Sequence, residues 1–128
     1  MKKNRKKIYL SLIIVFLFFI TTMTYISYKV RHIQINDIDL ASIDDGTYTG
    51  QYSMIPVNVK TKVTVQNHRI IKIEILKHDN GLGSKAEKIV ERVIQYQSLE
   101  VDTVSGATVS SKCILKSIEN ALGGNNNE

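Results

Sequence analysis

Val57-Asn58-Val59-Lys60-Thr61-Lys62-Val63-Thr64-Val65 is the stretch that decides the fold class of this chain. Val57, Val59, Thr61, Val63 and Val65 alternate with Asn58, Lys60, Lys62, Thr64 and Gln66. A period of two sustained over nine positions marks a strand with one buried face and one face in water. Asn67-His68 suits a tight turn, and Ile71, Ile73 and Ile75 then alternate with Lys72 and Glu74 as a return strand. Upstream, Asp45-Gly46 is a turn signal, and residues 47–53 form a short strand with Tyr48 and Tyr52 on one face. The expectation is an antiparallel meander that rests one face on a core.

Helical patterns follow the strands. His78-Asp79-Asn80-Gly81-Leu82-Gly83-Ser84 reads as a flexible loop, with Ser84 placed to cap the next helix. Ala86, Ile89, Val90, Val93 and Ile94 have the spacing of an amphipathic helix. Ile114, Ile118, Ala121 and Leu122 form the apolar stripe of a last helix, which Gly123-Gly124 stops. The fold class expected is α+β, a small antiparallel sheet packed with two helices and preceded by one N-terminal transmembrane helix.

That first helix is read from residues 8–28, which are 21 positions without a charge. At about 1.5 Å per residue they span roughly 31 Å, the thickness of a hydrocarbon core. Tyr9, Tyr25 and Tyr28 lie near its two ends, where interfacial aromatics are found. Residues 22–27 offer no small-residue cleavage site, which favours an uncleaved anchor over a signal peptide. Lys2, Lys3, Arg5, Lys6 and Lys7 precede it and keep the tip in the cytoplasm, sending the following domain across the membrane.

The organisation expected is therefore a cytoplasmic basic tip at 1–7, an anchor at 8–28 and a membrane-proximal connector at 29–44. A soluble domain at 45–122 and a disordered tail at 123–128 complete it. Five of the 17 Lys and Arg residues lie in the tip, and the other 12 match the 12 Asp and Glu. The net charge of +5 and the pI near 9.3 therefore give no basic patch on the domain, and no nucleic-acid partner is expected. Cys113 stands alone and reads as a small buried apolar residue. His32, His68 and His78 are scattered, so no metal site is expected.

Asp102-Thr103-Val104-Ser105-Gly106-Ala107-Thr108 carries the chemistry. A small flexible turn that ends in a hydroxyl at a helix start can hold a phosphate, because the first backbone N–H groups lack intrahelical partners. The plainer reading makes Ser105 or Thr108 a helix cap.

The motif and its setting resemble the FMN-binding domain family. Its members include domains of flavoprotein subunits in the Na⁺-pumping NADH:quinone reductase and the Rnf electron-transport complex. The family's pattern for covalent flavinylation is Asp-x-x-Ser/Thr-Gly-Ala-Thr, and Asp102, Ser105, Gly106, Ala107 and Thr108 match each specified position. The resemblance runs from about residue 45 to residue 122. It implies FMN joined by a phosphoester to Thr108, with Asp102, Ser105, Gly106 and Ala107 shaping the segment for a separate flavin transferase. Ser110 and Ser111 are candidates for phosphate hydrogen bonds, or are ordinary first-turn polar residues. Gly81, Leu82 and His78 are candidates for ring contacts, with a solvated loop histidine the plainer reading of His78. Tyr48 and Tyr52 are expected to pack rather than stack on flavin, and Lys85 and Lys88 to lie on the solvated side of a helix.

The function implied is that of an anchored extracytoplasmic flavoprotein. It would carry electrons from a membrane donor, a quinol or a dehydrogenase, to an extracytoplasmic acceptor or reductase. Catalytic residues are not expected in so small a domain, and membrane lipid is a partner through the anchor. The alternative is a non-catalytic FMN-binding sensor or assembly subunit of a membrane redox complex.

Overall fold

The computed structural model of the chain describes residues 2–79 and 83–123. They form a three-stranded antiparallel sheet and three helices, in two compact units, Met1–Ile33 and Gln34–Glu128. The last residues of the expected tail lie outside the described residues.

The first unit is α1 (Lys2–Arg31). It is long and apolar enough to cross a membrane, with a mean hydropathy of 2.2 in its most apolar window. Its hydroxyl groups do not oppose that environment. Thr21 and Thr22 each donate to the Phe18 carbonyl at 2.8 Å, and Thr24 donates to the Thr21 carbonyl at 2.9 Å. Polar groups satisfied within the helix carry a smaller desolvation cost in lipid.

The second unit begins with a segment that packs on the domain. Ile43 is buried in the core, and Ile35, Ile38 and Leu40 pack against it. Asp37 accepts from the Leu99 N–H at 2.9 Å and the Ser98 hydroxyl at 3.0 Å. Burial pushes the Asp37 carboxyl up, but these bonds and the Ile38 N–H outweigh it and hold the group below its ordinary value. The Asn36 side chain bonds Glu119 at 3.1 Å, and Lys116 reaches the Gln34 carbonyl at 3.0 Å.

The sheet runs in the order β1 (Gly46–Met54), β2 (Val57–Gln66), β3 (Arg69–Asp79). In β2 every residue of the alternating apolar set is buried, Thr61 included. Asn67 and His68 both have positive φ, 53° and 56°, as the central pair of a type I′ hairpin requires. The turn is tied back to the start of the domain, since the Asn67 N–H donates to Asp45 at 2.7 Å.

In β3 the expected alternation fails at one end. Ile70, not Ile71, faces the core, and Ile71 is 50 % exposed. The register shifts between Thr64 and Val65, where Lys72 and Ile70 are the successive partners and Ile71 has none. A second shift leaves Leu76 outside in the same way, 52 % exposed. Each bulge inserts one residue and re-phases the strand.

α2 (Ile89–Tyr96) follows a 3₁₀ turn over Ser84–Lys88. Ser84 does not cap it. Gly83 holds the cap position without a side-chain bond, and Ser84 is the first residue of the turn. With no side-chain acceptor the start tightens to bonds three residues apart, such as Ala86 N–H to Gly83 O at 2.9 Å. At the other end Gln97 adopts φ 54°, and its side chain pairs with both the N–H and the C=O of Ile70, at 2.8 and 2.9 Å. An amide side chain thus stands where another strand would pair with the edge of β3.

α3 (Thr108–Gly123) packs on β1 and β2. Its expected stripe, Ile114, Ile118, Ala121 and Leu122, is buried, and so is Cys113, whose thiol burial pushes up to about 11. That thiol stays protonated and inert at neutral pH. Gly50 fixes how close the helix comes. A Cβ there would run into the Ser117 carbonyl and come within 2.8 Å of the Ala121 Cα. Thr61, opposite Gly50 in the ladder, bonds the Ser117 hydroxyl at 2.8 Å, and Ser117 in turn donates to Ile114 O at 3.0 Å.

Gly50→Ala is expected to lower the stability of the sheet unit by about 1–3 kcal/mol, the usual cost of overpacking a filled core. Hydrogen exchange of the β2 amides in the full-length protein reads this directly. Exchange at the parent rate would contradict the close contact.

Candidate cofactor site

The sequence motif folds as a turn that delivers the chain into α3. The Ala107 N–H donates to Val104 O at 2.9 Å, closing a four-residue turn. Gly106, third in that turn, has φ +73°, which L side chains rarely adopt and a type II turn demands. Ala107 is 6 % exposed and belongs to the core. A larger side chain would not fit there without shifting the start of the helix.

Two bonds from elsewhere hold the turn. Ser111, fully buried, accepts from the Val104 N–H at 3.0 Å. Arg92, on α2, donates to the carbonyls of Asp102 and Thr103 at 2.7 and 3.4 Å. No local pattern in the sequence marks Arg92, because its role depends on where α2 passes the motif. Ser110 is also inward, 2 % exposed.

Thr108 is the first residue of α3 and is exposed. Ala107 stands at the cap position, and its methyl offers no acceptor to the N–H groups of Thr108, Val109 and Ser110. The helix makes its first bond from Ser111 N–H to Ala107 O at 2.9 Å. Among the described residues neither Ser105 nor Thr108 makes a side-chain cap, so the plainer expectation for the motif is not met. Asp102 is exposed as well, and among the described residues its carboxylate has no hydrogen bond or ion pair. The motif therefore presents a hydroxyl and a carboxylate outward over a helix start whose N–H groups and dipole favour an anion.

Lys85 is exposed on the 3₁₀ turn, as expected for a solvated helix lysine, and its side chain also reaches the motif. A Cβ on Gly106 would lie 2.7 Å from the Lys85 ammonium and 3.4 Å from its Cε. The ammonium thus rests over the turn that leads to Thr108. Lys88 is exposed on the same 3₁₀ turn. His78 is not part of a loop but lies within β3, paired with Val59 next to the strand's last residue, Asp79. The His78 side chain is only 2 % exposed, with Nδ1 3.0 Å from a Glu87 carboxylate oxygen. Gly81 and Leu82 lie outside the described residues. Tyr48 and Tyr52 pack against the core, as expected.

Residues 56–123 match the FMN-binding domain family. The chain belongs to that family. A relative, the NADH:acrylate oxidoreductase of Vibrio harveyi, is 32 % identical over 109 residues, 77 % of this chain. The chain spans only about 10 % of that relative's length. The FMN-binding domain here comprises β2, β3, α2 and α3, with the motif turn between the two helices. FMN is its cofactor, and the protein is a flavoprotein. The donor set at the motif, bare N–H groups and one ammonium, fits the phosphoryl end of that cofactor.

Arg92→Ala is expected to raise hydrogen exchange of the amides at 102–107 by about tenfold, the loss of a charge-assisted bond. Amides of β2 should stay protected. Ser111→Ala should instead cost about 1–3 kcal/mol globally, because it strands the Val104 N–H. Unchanged exchange at 102–107 in the Arg92 variant would remove the clamp from the account.

Proposed function

We propose that the protein carries FMN as a phosphoester on Thr108 and works as a membrane-anchored electron carrier outside the cytoplasm. The observation that carries this reading is the position of Thr108. Its hydroxyl is exposed at the first residue of a helix whose start has no side-chain cap, so it is available for chemistry rather than occupied by structure. A separate flavin transferase would load it from FAD with a metal ion. In that step the Thr108 oxygen attacks the phosphorus that bears riboflavin, and an Oγ–P bond forms as the pyrophosphate P–O bond breaks. AMP leaves with the bridging oxygen, the hydroxyl proton passes to a base of the transferase, and no redox change occurs. The Asp102 carboxylate, which makes no hydrogen bond or ion pair among the described residues, is suited to recognition by that enzyme.

FMN supplies one- and two-electron transfer when bound. The chain's own residues tether it, neutralise its phosphate and keep the loading segment in a fixed turn. A covalent tether suits the outer side of a membrane, where a dissociated cofactor is lost by dilution. α1 supports the anchor, and the basic residues ahead of it support the outward placement of the domain. The oxidoreductase name of the Vibrio relative supports electron transfer as the role. The donor would be a quinol or a dehydrogenase in the membrane, and the acceptor an extracytoplasmic reductase or soluble acceptor.

Thr108→Ala tests this. It should abolish bound flavin in protein made alongside an active transferase, while stability changes by less than about 0.5 kcal/mol, as for an ordinary surface substitution. Thr108→Ser should load in part at best. Asp102→Ala should load poorly although the Asp102 carboxylate makes no hydrogen bond or ion pair among the described residues. Full flavin content in Thr108→Ala, read by absorbance after denaturing washes, sinks the proposal.

A further inference from the structure

We infer that Lys85 is the counter-charge of the phosphoryl group on Thr108, holding the transferred group against the start of α3. This rests on the Thr108 reading above and names a residue that the motif does not contain.

Gly106 leaves a space that any other residue would fill, and the Lys85 side chain takes it, with the ammonium 2.7 Å from the Cβ position. Only one residue separates Gly106 from Thr108. At 3.8 Å per peptide their Cα atoms are at most about 7.6 Å apart, within reach of a phosphoryl group on the Thr108 oxygen. The ammonium belongs to a residue exposed to solvent. It lies by the positive end of α3, where a cation is disfavoured. Among the described residues it makes no ion pair and no hydrogen bond to offset this. The nearest acid in sequence, Glu87, is engaged by His78. Arg92 spends its guanidinium on backbone carbonyls and leaves its own positive charge close to the same turn.

Two cations and a bare helix start thus converge on the turn, and among the described residues neither cation is held in an ion pair, by the exposed Asp102 carboxylate or by any other acid. A phosphodiester carries one negative charge and strong acceptor oxygens, and placed on Thr108 it gives the Lys85 ammonium an anionic partner. Gly106 then has two reasons to be glycine. Its positive φ makes the turn, and its missing side chain admits the lysine.

The test uses the full-length protein in membranes with the flavin transferase, FAD and magnesium. Initial loading rates are read by intact mass, and the phosphorus NMR resonance is recorded on each loaded protein in detergent. Lys85→Gln is expected to load about tenfold more slowly, the loss of one charge-assisted contact. Lys85→Glu should be slower still, and Lys85→Arg should restore the rate. The phosphorus resonance should move in Lys85→Gln and return toward the parent position in Lys85→Arg. Loading of Lys85→Gln at the parent rate overturns the inference while leaving the Thr108 reading intact. A slower rate with an unmoved resonance also overturns it, since Lys85 would then serve transferase docking. Absence of any phosphoester in the parent protein overturns the Thr108 reading and this inference with it.

Discussion

The missing side chain at Gly50 is the constraint on which the rest of the sheet unit depends. It lets the backbone of α3 lie directly against β1 near Ser117 and Ala121. At that distance the small residues on the helix are not padding but a requirement. The hydroxyl pair of Thr61 and Ser117 then fills the contact and satisfies its own polarity, which is why a buried threonine costs little in an otherwise valine-lined face. A helix seated so closely has a fixed axis, and its first residue has a fixed place. Thr108 is exposed because the buried residues of α3 are committed to the sheet.

The loading segment is built on the same logic of small residues and borrowed bonds. Gly106 turns the chain, Ala107 buries itself, and Ser111 and Arg92 supply from outside the bonds that the turn cannot make alone. What remains outward is a hydroxyl, a carboxylate and a helix start without a cap. Helices generally fill that position with Ser, Thr, Asp or Asn. An alanine there gives up cap stabilisation, and a site that must receive a phosphoryl group has a use for N–H groups left open. The local cost and the proposed chemistry are two sides of one arrangement.

Much of this was legible in the chain. The valine alternation of β2 sets a strand with one wet face, Asn67-His68 sets its turn, and the stripe at 114, 118, 121 and 122 sets the last helix. The motif pointed to the place where chemistry is expected. The parts that escaped are those fixed by partners distant in sequence. Ile70 and Ile71 are identical and adjacent, so periodicity alone does not say which one a bulge expels. Arg92 looks like a solvated helix charge until the packing of α2 brings it to the motif, and the approach of the exposed Lys85 to Gly106 depends on where the 3₁₀ turn passes. Gln97 replaces a missing strand partner, which no local pattern announces. Ser84 looked like a cap because serines often are, but the cap position fell one residue earlier, on Gly83.

The most direct measurement is the intact mass of the full-length protein isolated from its own membranes, followed by peptide mapping. The account expects one FMN phosphoester, carried on the peptide that contains Thr108. An unmodified Thr108 peptide from membranes that hold an active flavin transferase would contradict it.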